Sequence, residues 1–313
     1  MDKSLPRGRL LLCVDVCMTM RKIVLVLCMV WATVGLRSQE VWDSVGCLKD
    51  ARVAIVLSGG GALGYAHIGA LQALDEAGVR PCFIAGTSMG AIVGVFYAQG
   101  YSGDEIYGFV KERRLYNIFR NVDVSARNAN RGVGSYRRVR RLINDAIPHD
   151  CFDSLRVPFL CVATDLSSNE AEVRSGGGRL ADWVLASASI PVLFKPQLIE
   201  GGYYCDGGFV DNLPACHVPR GCCDVCVGID VTPSVLPPTG DFFSLRYGME
   251  DVYGNMILDV NSREGRGCCD VVIRPHGDVR YGILDFRDYE LLRKRGYDAM
   301  REWLEGAGMV GER

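Results

Sequence analysis

Apolar and polar positions along this chain follow two rhythms. Arg52-Val53-Ala54-Ile55-Val56-Leu57 is a short β-branched run that ends in a glycine cluster, and it predicts a buried strand over 52–57. The next apolar positions, Leu63, Ala66, Ala70, Leu71 and Leu74, recur at helical spacing up to Gly78, predicting a helix over 62–77. The pair then repeats, with a strand over 82–86 and a small-residue helix over 88–99. Helices follow near 104–113 and 135–146, the second stopped by Pro148. Strands are expected over 158–164 and 171–174, then a helix over 180–188. Two short strands flank Gly201-Gly202, further strands lie near 224–230 and 271–274, and an amphipathic helix covers about 287–304. Buried strands alternating with helices indicate the α/β class, with a largely parallel sheet covered on both faces. In such sheets the functional turns lie at the carboxyl ends of the strands.

Two glycine-rich turns occupy such positions. Gly86-Thr87-Ser88-Met89-Gly90 is a Gly-x-Ser-x-Gly pattern between a strand and a helix. A nucleophile elbow needs this sequence. The serine sits on a sharp, strained turn that lifts its hydroxyl clear of the sheet, and only small flanks let the chain pass. The upstream turn is Ser58-Gly59-Gly60-Gly61-Ala62-Leu63-Gly64. Its glycines free the backbone to aim N–H groups at one point, at the start of a helix, which stabilises negative charge. Beside a serine nucleophile that charge is the oxyanion of a tetrahedral intermediate, so Gly59, Gly60, Gly61 and Gly64 are the candidate oxyanion hole. Gly59-x-Gly61-x-x-Gly64 also fits a dinucleotide fingerprint. That fingerprint needs an acid at the end of the next strand, and no acid lies between Ala77 and Gly103.

Ser88 needs a base. The order Ser…Asp…His is met by Ser88, Asp206 and either His217 or His276, though neither histidine has a distinctive loop context. Asp206 has better context, because Gly202-Tyr203-Tyr204-Cys205-Asp206-Gly207-Gly208 delivers an acid from a hairpin strand into a glycine turn. Gly207 and Gly208 let another backbone come close, and a partly buried carboxylate there can take the serine proton directly. The same residues also suit a plain Asp-Gly turn.

The combination resembles the bacterial members of the patatin-like phospholipase family. The resemblance runs from about residue 52 to 304. It rests on Ser58–Gly64 with Ala66-His67-Ile68-Gly69, on Gly86–Gly90, Ala163-Thr164-Asp165-Leu166 and Ala186-Ser187-Ala188-Ser189-Ile190-Pro191, and on Asp206-Gly207-Gly208 with Asn212-Leu213-Pro214. It implies a three-layer α/β/α sandwich with a mainly parallel central sheet. It also implies a serine lipid acyl hydrolase with a Ser88–Asp206 dyad, an acyl-enzyme, no catalytic histidine and no cofactor. Backbone amides around Gly60 and Gly61 would form the oxyanion hole, and Ser189-Ile190-Pro191 would frame the pocket. One position departs from the family, which usually has Arg or Lys where this chain has Leu63. A lipid-binding relative without activity is the alternative that this departure keeps open.

Composition narrows the setting. The chain has 313 residues, 49% of them apolar, enough for one sizeable core. Met20-Arg21-Lys22, an uncharged stretch from Ile23 to Val34, and Gly35-Leu36-Arg37-Ser38 have the layout of a secretory signal. The expectation is therefore an upstream segment and leader over 1–38, with the start at Met20, and a catalytic domain over 39–313. The product would be exported, periplasmic or secreted. Beyond residue 38 the 35 basic and 37 acidic residues become 29 and 35, a balance that does not suit a nucleic-acid binder. From Lys111 to Arg141, however, ten Lys and Arg face only Glu112 and Asp123, which makes a candidate contact with anionic lipid headgroups. Eleven of the 14 cysteines lie beyond residue 38. Cys222-Cys223-x-x-Cys226 and Cys268-Cys269 adjoin apolar strand-like runs and lack zinc spacing, so no metal site is expected, and disulfide pairing stays open.

Overall fold

A computed structural model describes residues 51–112, 136–191, 193–232, 249–275 and 286–309. The expected leader over 1–38, residues 113–135 of the basic stretch and His276 lie outside the described residues. In chain order the elements are β1 Val53–Leu57, α1 Tyr65–Glu76, β2 Pro81–Thr87, α2 Met89–Gln99, α3 Gly103–Glu112, α4 Arg137–Ala146, β3 Phe159–Asp165, β4 Ala171–Arg174 and α5 Leu180–Ser187. Then come β5 Gln197–Ile199, β6 Gly202–Asp206, β7 Val225–Ile229, α6 Met249–Cys268, β8 Val271–Ile273 and α7 Tyr289–Gly306.

One sheet runs β5-β6-β3-β2-β1-β7-β8, with β4 paired to β3 off this path. The pairs from β3 through β2, β1 and β7 to β8 are all parallel. The β5–β6 hairpin and β4 join antiparallel. The order decides burial. β1 is central, flanked by β2 and β7, and every one of its residues is buried, which is why it reads as an unbroken apolar run. Ala54, Val56, Phe83, Ala85, Leu160 and Val162 form one face and pack with Leu213, Ala215 and Cys226. On the other face α2 lies so close that a side chain at Gly94 would touch Ile84, Leu57 and Phe159.

The alternation of strand and helix follows the expected order, and the first predicted helix begins as a 3-10 turn over Gly61–Gly64. One element departs from the sequence reading, which left 231–270 unassigned, whereas Met249–Cys268 forms a 20-residue helix, α6. Gly254, Asn255, Gly265 and Gly267 lower its intrinsic helix propensity. Packing outweighs that, because α6 lies against the backbone of Leu213, whose carbonyl oxygen would be 1.8 Å from a Cβ on Gly265. Cys268 at its end is disulfide-bonded to Cys216. Among the described residues no cluster of His, Cys, Asp or Glu is arranged to hold a metal ion.

Helices α1 and α7 cross at a pair of glycines. A Cβ on Gly69 would stand 1.8 Å from the Arg293 carbonyl oxygen, and one on Gly296 would stand 1.8 Å from that of Ala66. Both obstacles are backbone, so the helices must part to admit a methyl group. Gly69→Ala and Gly296→Ala should each destabilise the fold by about 1–3 kcal/mol, despite alanine's better helix propensity. Thermal unfolding checks this, at roughly 2–4 °C per kcal/mol; an unchanged midpoint would contradict the close crossing.

Candidate active site

β2 ends at Thr87, and α2 begins at Met89. Ser88, between them, has φ 55° and ψ −122°, a backbone conformation that non-glycine residues rarely adopt. Its flanks explain how the strain is accommodated. A Cβ on Gly90 would lie 2.3 Å from the Leu57 carbonyl oxygen, and one on Gly86 would lie 2.6 Å from that of Gly90. Only glycine lets the chain turn this tightly against β1. The Ser88 carbonyl accepts from the Ala91 and Ile92 amides as α2 starts, and the Ser88 N–H donates to Ser187 Oγ at 3.0 Å.

Asp206 arrives from the antiparallel side of the sheet, at the end of β6 opposite Ala163 of β3. Its Oδ1 accepts from the Gly208 amide at 2.8 Å. Its Oδ2 accepts from the Ser88 hydroxyl at 2.6 Å. Both residues are buried, with Ser88 4% and Asp206 3% exposed. Burial pushes the Asp206 carboxyl up to about 7, against the opposing effect of the Ser88 and Gly208 hydrogen bonds. A carboxylate with that affinity is a competent proton acceptor near neutral pH.

One segment braces both groups. Ser187 holds the Ser88 amide, and the Ser189 carbonyl accepts the Asp206 amide. Tyr136 closes over this segment, donating its hydroxyl to the Ala188 carbonyl and stacking on Phe194 at 3.9 Å. The Asp-Gly-Gly turn is also tied to α6, where Asn261 Nδ2 donates to the Gly208 carbonyl at 2.9 Å. Asn212 Nδ2 donates to Thr232 and Ser262, and the Asn212 carbonyl accepts the Gly59 amide at 3.0 Å. The sequence reading did not single out Asn261 or Ser262.

The four glycines of the upstream turn separate by role. The Gly59 amide is already engaged by Asn212, and Gly64 gives room to Met89, whose Cγ would lie 2.2 Å from a Cβ there. Gly60 and Gly61 line a cleft together with Ser88, Asp206, Ile190, Phe209, Ile257 and Leu258. Among the described residues the Gly60 and Gly61 N–H groups donate to no hydrogen bond. Gly207 fits against the Val162 carbonyl oxygen, 2.2 Å from where its Cβ would be. Leu63, the departure from the family pattern, is buried, so an apolar body takes up the space beside the turn.

The described histidines lie elsewhere. His67 is buried with Nε2 2.8 Å from the Ser58 carbonyl. His217 Nε2 meets Asp211 at 2.9 Å, which raises its pKa, and it lines neither cavity beside Ser88. Ser88 also lines an apolar cavity walled by α2, α3 and α4 residues such as Val93, Phe96, Phe109, Val110, Val139 and Leu142. Ser88 thus borders both an apolar chamber and a smaller cleft that holds the carboxylate and two free amides.

The patatin-like phospholipase family profile matches residues 55–217, the span that carries both glycine turns, Ser88 and Asp206. The chain belongs to this family. An uncharacterized NTE family protein of Mycobacterium tuberculosis is 34% identical over 193 residues, covering 62% of this chain and 52% of that protein. Lysophospholipase nte1 of Emericella nidulans is 30% identical over 284 residues, 81% of this chain and 18% of its own length. The chain therefore spans about half the length of the mycobacterial relatives and less of the fungal one. Among solved structures, VipD from Legionella pneumophila matches with a TM-score of 0.46 and 17% identity, over 82% of this chain and 67% of VipD.

The raised carboxyl has two consequences with opposite pH trends. A proton acceptor at Asp206 must be ionised, so a reaction that uses it should slow as pH drops through about 7. For stability, the fold prefers the protonated acid, so it is favoured at low pH, and that advantage is lost as pH rises from the ordinary carboxylate value towards about 7. Asp206→Asn keeps an acceptor for the Gly208 amide and removes the buried charge. It should therefore be more stable than the parent at pH ~8, by about 1–3 kcal/mol. Thermal unfolding at that pH tests this, and a less stable variant would argue against a desolvated carboxylate.

Proposed function

We propose that this chain is a serine lipid acyl hydrolase that cleaves carboxylic esters of phospholipids or related acyl lipids through Ser88 and Asp206. The observation that carries the reading is the 2.6 Å hydrogen bond from the Ser88 hydroxyl to a buried carboxylate whose pKa is raised to about 7. Family membership supports the lipid ester as substrate, and the apolar chamber beside Ser88 suits an acyl chain.

The steps follow from the positions. Asp206 Oδ2 takes the hydroxyl proton as Ser88 Oγ attacks the ester carbonyl carbon, with the acyl chain in the apolar chamber. The negative charge that develops on the carbonyl oxygen is met by the free amides of Gly60 and Gly61. The intermediate collapses, and the protonated Asp206 returns its proton to the departing alcohol oxygen, leaving an acyl-Ser88 ester. Water entering through the smaller cleft then attacks that ester. Asp206 accepts its proton and returns it to Ser88 Oγ as the fatty acid leaves. Throughout, the Gly208 amide on Oδ1 keeps Oδ2 aimed at the serine.

We extend the reading to an exported protein working on a membrane. Support comes from the leader-like pattern before residue 38, from the Cys216–Cys268 disulfide, which suits an oxidising compartment, and from the excess of basic residues over 111–141. Part of that excess is matched within the fold, since Arg140 pairs with Asp182 and Lys111 stands 4.0 Å from Glu290.

Ser88→Ala and Asp206→Asn should each lower hydrolysis of a short-chain ester and of a lysophospholipid by about ten-thousand-fold. His217→Ala should stay within about threefold of the parent on the same scale. Full activity in Asp206→Asn, or its loss in His217→Ala, would replace the dyad with a histidine-dependent mechanism. Parent protein that binds lipid but turns none over would mark a silent relative.

A further inference from the structure

Helix α6 turns polar residues inward and apolar ones outward around its middle. Asp259 is the only charged residue between Val252 and Ser262, and it is buried, meeting Arg266 at 2.6 Å and Arg263 at 3.4 Å. Ser262 is buried against Asn212, and Asn261 holds the Gly208 carbonyl. Between Met256 and Ser262 the exposed side chains are all apolar, Met256 at 46%, Ile257 at 41% and Val260 at 52%, and the exposed Arg263 one turn further on turns to Asp259. Three such neighbours at helical spacing, with no charge among them, are unusual for a face meant for water.

This face is continuous with the active site. Ile257 lines the smaller cleft that holds Ser88 and Asp206, as does Phe209, which is 42% exposed and stands on the turn after Asp206. The rim of the catalytic cleft and the exposed stripe of α6 are therefore one apolar surface. A second exposed apolar group lies at the same carboxyl end of the sheet. There Leu166 follows β3, and Leu198 pairs with Tyr203 across the β5–β6 hairpin.

We propose that Met256, Ile257, Val260 and Phe209 form a docking face that seats the mouth of the Ser88–Asp206 cleft directly on a lipid surface. The proposal rests on the lipid hydrolase reading and names what that site faces. An acyl chain bound for the apolar chamber must leave an aggregate. It stays out of water throughout only if the cleft mouth touches that aggregate. A convex helix side joined to the rim of the cleft suits a broad apolar layer better than a single bound peptide. The contact is apolar, so it survives salt that screens the basic stretch, and it is distinct from any attraction that stretch supplies.

The test uses the full chain, phosphatidylcholine vesicles and about 0.5 M salt, where charge attraction reaches only a few ångström. In a Ser88→Ala background, which leaves the vesicles intact, Met256→Trp should show indole quenching by vesicles with brominated acyl chains beyond that of the same chain without it. In the active chain, the double change Met256→Asp and Val260→Asp should lower vesicle phospholipid hydrolysis at least tenfold. It should leave hydrolysis of a dissolved short-chain ester unchanged, which also reports an intact fold. Met256→Leu with Val260→Ile should restore the vesicle rate. Absent extra quenching, or equal vesicle hydrolysis in the aspartate variant, overturns the proposal. So does a dimer in solution that the aspartates dissolve, which would assign the face to a second copy. The quenching arm needs no turnover, so an inactive parent would defeat the hydrolase reading while the docking face is still decided.

Discussion

Asp206 has lost nearly all its water and keeps two hydrogen bonds in exchange, one from the Gly208 amide and one from the Ser88 hydroxyl. Withdrawing a carboxylate from water is costly unless its oxygens are satisfied, and here desolvation still prevails, holding the acid near pH 7. Much of the surrounding architecture maintains that balance. The segment Ser187–Ser189 fixes the amides of both partners, the glycine turn supplies the donor to Oδ1, and Tyr136 covers the segment from above. A looser arrangement would readmit water, and the acid would return to its ordinary range and become a weaker base.

The parallel sheet explains where this happens. β2 delivers Ser88 and β1 delivers the glycine turn, both at their carboxyl ends, while β6 enters from the opposite direction and brings Asp206 to the same place. Neither the serine nor the carboxylate has its partner on its own strand. The Ser88–Asp206 spacing is thus a product of β3, which lies between β2 and β6.

Helix α6 joins the chemistry to the surroundings. Its inward polar residues hold Asn212 and the Asp-Gly-Gly turn, and its outward residues border the cleft. Arg266 at its carboxyl end meets the fully buried Asp230 at 2.6 Å, which anchors the helix beside β7. A displacement of this helix would move the turn that carries Asp206 as well as the rim around it. This helix was also the least legible element, because its glycines and asparagines weaken the local helical signal and its stability comes from packing on Leu213.

By itself the sequence determined the alternation of strands and helices, because buried parallel strands read as apolar runs and glycine clusters mark their ends. It also made Ser88 and Asp206 recognisable, since an elbow and an Asp-Gly-Gly turn each demand local sequences that few other structures need. Side-chain pairing across distance was not legible. Ser88 and Asp206 are 118 positions apart, and only the fold put the carboxylate 2.6 Å from the serine hydroxyl and His217 on Asp211. Only the tertiary structure decided which glycine amides are free, because the acceptor for Gly59 is Asn212, far along the chain. Only it decided the Cys216–Cys268 pairing and the outward face of α6. Local sequence sets backbone geometry, whereas burial and hydrogen-bond occupancy are set by whatever the rest of the chain places alongside.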